Sequence, residues 1–270
     1  MTTQVRNDEQ INLLRGDFQP RYEPNFAWKS AVSALMVLPG VRAAWPMSVV
    51  AHTAPEVTDV SGNGNHLTMN AVGGSPQFSY DQLAPYCRFV AANSQYLSKA
   101  DGGAGNWADV TGTETYIRTA AQGLTLGGWF YFSSRSGGER LMAKEGVTTA
   151  YRMNLTGANG IRFSVNAGGG AVDFSTAGGE IAANNTWYHI VGWFDPSTEM
   201  GISINGAFQT LVAGVPASIQ DTADAFTIAA TATPGNYFDG FASLCFLAAA
   251  HHEEYIIQAL FQQQRALFGV

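Results

Sequence analysis

Charge is what this 270-residue sequence has least of: Asp, Glu, Lys and Arg together make up 13% of it, about half the share of roughly 25% usual in globular chains. With 46% hydrophobic residues beside so little charge, a large and well-filled core is expected. The charge that is present runs negative, 14 Lys and Arg against 21 Asp and Glu, for a net of -7. That excludes the basic footprint needed against phosphates or anionic lipid head groups, so neither nucleic acid nor membrane is an expected partner. Cysteine is scarce too. Cys87 and Cys245 each fall in a strand-like apolar run, and buried thiols are expected there rather than a disulfide. The longest apolar stretches, 31–41 and 243–250, fall short of the roughly 20 residues a membrane helix needs. The first ten residues, MTTQVRNDEQ, place acids and amides where a signal peptide needs an apolar segment, so no export signal is expected.

What the sequence has in plenty is glycine, 30 residues scattered without a period, as many tight turns require. Residues 1–26 are polar, with Pro20 and Pro24 bracketing Arg21-Tyr22-Glu23, and read as an extended arm without a core. Over 27–38, Trp28, Val32, Leu35 and Met36 recur at helical spacing and Pro39-Gly40 ends the run. The period then changes to two. Strands are predicted at 41–50, 86–90, 95–98, 124–132, 141–144, 151–155, 161–165, 172–175, 186–194, 201–204, 226–229 and 238–247. The run at 124–132 is apolar on both faces, with Leu124, Leu126, Phe130 and Phe132 on one and Trp129 and Tyr131 on the other, which predicts a central strand. Asp195-Pro196-Ser197-Thr198 and then Asn205-Gly206 supply two hairpin turns and so predict a three-strand meander. Helical spacing returns over 253–268, with Glu253 and Glu254 where a helix start favours negative charge. Short strands without βαβ alternation predict an all-β fold, an antiparallel sandwich.

Four strings carry a resemblance. They are Ala44-Trp45-Pro46-Met47 followed by the stretch from Asp59 to His66; the stretch from Phe89 to Leu97; Thr186 to Phe194 running on to Asn205-Gly206; and Asp239-Gly240 to Leu247. In their order and spacing they resemble the laminin-G-like branch of the concanavalin A-like lectin and glucanase superfamily, over residues 44–250. The resemblance implies a two-sheet antiparallel jelly-roll sandwich, with a short N-terminal arm and helix before it and a C-terminal helix after it. The chain is also similar in architecture to laminin-G-like proteins of tailed-phage particles, which implies a structural, non-enzymatic role at a virion surface. Such a protein is made in the host cytoplasm and reaches the exterior by assembly. The fold itself implies no single function, because lectins, adhesion modules and glycosidases share it.

Glucanases of the superfamily carry Glu-x-Asp-x-x-Glu or a close variant, since retaining hydrolysis needs two carboxylates about 5–5.5 Å apart. No such string occurs, and no catalytic residue is expected. His251-His252-Glu253-Glu254 reads as a strand-to-helix corner rather than a metal site. Calcium is the ion the resemblance implies, and Asp59, beside the Ser61-Gly62-Asn63-Gly64 turn, is its candidate ligand. The alternative for Asp59 is a turn cap. Glycan binding needs exposed aromatic rings, for which Trp107, Tyr116 and Tyr237 are candidates. The apolar stripe of Trp28, Leu35 and Met36 must bury itself on its own domain or on a neighbour. The resulting expectation is a division of labour. Residues 1–40 attach, through homo-oligomer contacts or other virion proteins, and residues 41–270 are displayed, with binding of host or extracellular glycans as the alternative role.

Overall fold

The computed structural model describes residues 26–48, 56–79, 84–102, 107–108 and 122–270. The expected arm and Tyr116 lie outside these. A helix, α1 (Phe26–Met36), opens the described chain. The strands follow as β1 (Val41–Trp45), β2 (Glu56–Val57), β3 (Leu67–Asn70), β4 (Gln77–Ser79), β5 (Tyr86–Phe89), β6 (Tyr96–Lys99), β7 (Leu124–Phe132) and β8 (Arg140–Glu145). They continue as β9 (Thr149–Leu155), β10 (Ile161–Asn166), β11 (Ala171–Ser175), β12 (Trp187–Asp195), β13 (Glu199–Ile204), β14 (Ala207–Leu211), β15 (Phe226–Ile228) and β16 (Gly240–Ala248). A second helix, α2 (Glu254–Gln264), runs into a 3₁₀ turn, Arg265–Leu267.

Two eight-stranded sheets result, both antiparallel. The first has the order β14-β13-β12-β7-β16-β5-β4, with β1 paired to the far half of β16; the second has the order β11-β10-β9-β8-β15-β6-β3-β2. The two-sided apolar strand β7 sits inside the first sheet between β12 and β16, where both of its faces are covered. The predicted meander is β12-β13-β14, and Asn205 and Gly206 have φ of 51° and 77°, the two positive angles of a type I′ turn.

The sheets face each other across one core, filled by residues such as Phe130, Phe132, Met153, Phe163, Phe194, Ile202 and Phe226. A second core lies on the outer face of the first sheet. There α1 and α2 bury Trp28, Leu35, Ile257, Leu260 and Phe261 against Trp129, Val191, Trp193 and Phe246. The helices are amphipathic because each must turn one stripe to this face.

Strand β16 serves two partners along one edge, β5 through Gly240–Ala242 and β1 through Cys245–Ala248. The change is made at a bulge between Ser243 and Phe246, where Leu244 has φ of 47°. Gly128 lies opposite this bulge. A Cβ there would come 2.8 Å from Cys245 Sγ and 3.0 Å from Cys245 Cα, so the bulge and the glycine require each other.

Candidate ligand-binding face

The residues singled out from sequence separate widely. Trp28 and Leu35 are buried, 2% and 1% exposed, against the chain's own first sheet, the first of the two destinations open to the stripe. Met36 is 44% exposed. The buried stripe runs Trp28, Ala31, Leu35, at steps of three and four, so Met36 is turned about 100° away from it.

Asp59 is buried and holds the turn that follows it. Its Oδ1 accepts hydrogen bonds from the N–H groups of Ala44 and Ser61, both at 2.9 Å, and its Oδ2 from Ser61 Oγ and Asn65 N–H, both at 2.8 Å. That is the turn-cap arrangement, and an ion could use this carboxylate only by displacing those donors. Among the described residues no three His, Cys, Asp or Glu side chains gather into a metal-holding group.

Trp107 anchors the inter-sheet core. Its ring lies 5.9 Å from that of Trp45 and 5.3 Å from that of Phe226, with Lys99 Nζ 5.8 Å from its centroid. Tyr237 is half-buried beside Tyr96, the ring centroids 6.3 Å apart. Burial, and then the neighbouring Tyr237, hold the Tyr96 hydroxyl above its ordinary pKa.

A different set of side chains forms a surface that sequence reading did not assemble. In β5, Cys87 and Phe89 point into the inter-sheet core, so Arg88 points outward. The same alternation turns Tyr131 of β7, Phe241 of β16 and Trp187 of β12 outward, because Phe130, Ala242 and Tyr188 are inward. Registry aligns them: Gln77 pairs with Arg88, Arg88 with Phe241, Phe241 with Tyr131, and Tyr131 with Trp187. The result is one row across five strands on the outer face of the first sheet. The helices cover the Trp187 end, where Phe268 packs 4.9 Å from Trp187. Tyr131 and Phe241 remain half-buried, and Arg88 and Gln77 are exposed.

The aromatic part of the row is a stack. Phe241 lies between Tyr86 and Tyr131, at 4.7 Å from each with interplanar angles of 23° and 12°. The polar part borders a cleft of about 310 Å³ lined by Gln77, Arg88, Val90, Asn93 and Gln95. Gln95 is its fixed floor: Oε1 accepts from Val90 N–H at 2.7 Å, and Nε2 donates to the carbonyls of Gly74 and Ser75. The side chains of Gln77, Arg88 and Asn93 bond to no described residue. Two carboxamides and a guanidinium with open capacity beside aromatic rings form a set suited to hydroxyl-rich, planar-faced ligands. One signal was available in the sequence, the outward aromatic side of β7.

The outer face of the second sheet is spent on itself. Glu145 takes both Arg140 and Arg152, and Asp173 takes Arg152 and Arg162. Burial raises the Glu145 carboxyl, but hydrogen bonds and charge from Arg140 and Arg152 outweigh it and hold the group below the usual carboxylate range. A glycosidase acid needs the opposite shift.

Comparison with known proteins agrees with this architecture. A family model described as the concanavalin A-like lectin/glucanases superfamily matches residues 101–243. Among solved structures, the binding domain of Paraclostridial Mosquitocidal Protein 1 is similar at a TM-score of 0.59 and 12% identity, over 82% of this chain and 52% of that one. The binding domain of botulinum neurotoxin serotype G gives 0.60 and 12%, over 83% and 51%. The binding domain of botulinum neurotoxin DC in complex with SialylT gives 0.56 and 11%, over 83% and 51%. The chain thus spans about half the length of these binding domains. A search of curated proteins finds no match. With more than half of its residues inside the matched region and two packed antiparallel sheets around them, the chain belongs to the concanavalin A-like lectin/glucanase superfamily.

Proposed function

We propose that this chain is a non-catalytic binding module that takes a glycan at the row Gln77–Arg88–Phe241–Tyr131. The observation that carries the reading is the meeting of open polar side chains and a half-buried aromatic stack in one register row. Sugars can be held by that pairing, apolar C–H surface against the edges of the stacked rings and hydroxyls in hydrogen bonds. The botulinum DC binding domain, whose fold is similar, was solved with SialylT and also with rat synaptotagmin II, so the fold is compatible with either kind of receptor. The non-catalytic reading is supported by the sequence, which lacks the Glu-x-Asp-x-x-Glu string of the superfamily's glucanases.

The test is a glycan array run with and without calcium, followed by titration calorimetry on the strongest hits. Phe241→Ala takes the middle ring out of the Tyr86–Phe241–Tyr131 stack and should weaken binding about tenfold, without loss of the fold. An array on which the wild-type chain binds nothing refutes the reading.

A second reading, display at a virion surface, draws on Phe26 and Val37, apolar side chains of the α1 region that are 88% and 78% exposed. In that reading they and the arm hold the chain to copies of itself or to other particle proteins. Deleting residues 1–25 together with Phe26→Ser should then convert an oligomer to monomer by analytical ultracentrifugation. An unchanged sedimentation profile removes the reading.

A further inference from the structure

Five cations of the described residues are spent within the fold. Arg140, Arg152 and Arg162 are paired with Glu145 and Asp173, Lys144 with Asp101, and Arg135 bonds to Asn184 and to the Ile181 carbonyl. Arg88, like Lys29 and Arg42, has no such partner among the described residues. It stands in the middle of the ligand row, exposed, with no carboxylate of a described residue paired to it, although the chain carries a net charge of -7. Its two registry neighbours are Gln77, a carboxamide, and Phe241, a ring, and the cleft it borders is lined by two more amides and a valine. No described residue of this cleft lining is acidic. Every described group on it is either neutral or positive, on a protein where acids outnumber bases by half.

A guanidinium left open in this way has one strong chemical partner. Its planar fork matches a carboxylate in two parallel N–H···O bonds, which are charge-assisted and roughly twice as strong as neutral ones. The amides of Gln77 and Asn93 can serve the hydroxyls around such a group, and the Phe241–Tyr131 stack can take the apolar side of the same ring. An acidic peptide would satisfy Arg88 but has no use for the aromatic stack, whereas a sugar acid uses both halves of the row.

Resting on the glycan reading above, we infer that the ligand is an acidic sugar, a uronic or sialic acid residue whose carboxylate is taken by Arg88. Neutral glycans are then poor ligands of this face.

The test uses matched probes that differ only in the acid, sialyllactose and oligogalacturonate each against its own methyl ester, with poly-glutamate as the peptide probe. Titrations are run on the full chain and on Arg88→Gln, an exposed substitution whose fold is checked by thermal melting. The acidic probe of at least one pair should bind about 10- to 100-fold more tightly than its neutral partner, as a charge-assisted bidentate contact provides. Arg88→Gln should abolish that preference, so that the acidic probe binds no more tightly than its neutral partner. Added salt should weaken the acidic probe only. If neutral and acidic probes bind alike, or Arg88→Gln spares the acidic probe, the sugar-acid inference falls while the glycan reading stands. If poly-glutamate binds as well as the acidic sugars, the sugar is the wrong class. If no glycan binds at all, both readings fall.

Discussion

Acid should unfold this protein earlier than its carboxylates alone would. Two histidines are sealed in or beside the second core. His189 lies on β12 between the rings of Trp129 and Phe261, at 5.1 and 5.9 Å, and burial pushes its pKa down to about 3. His252 is lowered to about 4, chiefly by burial, with the Pro39 carbonyl opposing and the His251 charge adding to the shift. In the unfolded chain both titrate near 6.5. Between 6.5 and these lowered values the unfolded chain therefore binds more protons than the folded one. Stability is complete above about pH 6.5 and is lost as pH falls through the window down to about 3 to 4.

Each pH unit inside the window removes about 1.4 kcal/mol per histidine. At pH 5 the window has been crossed by 1.5 units, so each histidine costs about 2 kcal/mol and the pair about 4 kcal/mol. Against a total of about 5–15 kcal/mol for a domain, that is a large fraction. Urea unfolding followed by tryptophan fluorescence at pH 7.5, 6 and 5 reads it directly. His189→Phe keeps the ring contacts and removes the proton site, so its loss between pH 7.5 and 5 should be about 2 kcal/mol smaller than the wild type's. A flat wild-type profile from 7.5 to 5, or a variant with the same slope as the wild type, would refute the reasoning.

Three further substitutions test the packing. Gly128→Val places side-chain carbon against Cys245 at the β16 bulge and should lower stability by about 1–3 kcal/mol, measured as a lowered unfolding midpoint. Asp59→Ala removes an acceptor from four donors at once; a loss of about 3 kcal/mol or more is expected, with faster amide exchange at Ser61 and Asn65, and normal exchange there would contradict the capping role. Lys144→Met withdraws a buried ammonium from Asp101 Oδ2 at 3.1 Å and from the carbonyls of Thr222 and Asp224. It should cost about 3–5 kcal/mol because partners built around a charge lose it, and Asp101→Asn in the same chain should restore part of that loss in a double-mutant cycle.

The sandwich was legible because long strands carry their own signal. The nine residues of β7 announce a central position by being apolar on both sides, and Asn205-Gly206 specifies a hairpin by turn chemistry alone. The short strands were not legible. β2, β3 and β4 have two, four and three residues, too few for alternation to be counted, and they are strands only because β3, β6 and β5 respectively offer them hydrogen-bonding edges. The helix α1 was legible as amphipathic, but the sequence has no information on which surface receives it, and that depended on an apolar outer sheet face assembled from β7, β12 and β16. The ligand row was illegible for a related reason. Its members are separated by up to 164 residues, from Gln77 to Phe241, and become neighbours only through strand registry, which one residue of slip would abolish by turning Arg88 and Phe241 into the core.

That dependence on registry places stability and recognition on one sheet face, yet keeps them separable. The covered half holds His189 under α2, and the open half holds Arg88, Phe241 and Tyr131. Lowering the pH to 5 acts on the covered half, where a proton has to be buried. It leaves the open half's charges alone, since a guanidinium keeps its proton and a carboxylate of ordinary pKa near 3.5 stays ionised at pH 5. Acid should therefore reduce the fraction of folded molecules without reducing the affinity of those that remain folded. The converse holds for Arg88→Gln, which should change affinity and leave the pH profile of unfolding where it was. A coupling between the two, with His189→Phe altering sugar affinity at pH 7.5, would mean that the helices and the row move as one unit and that the face is not divided.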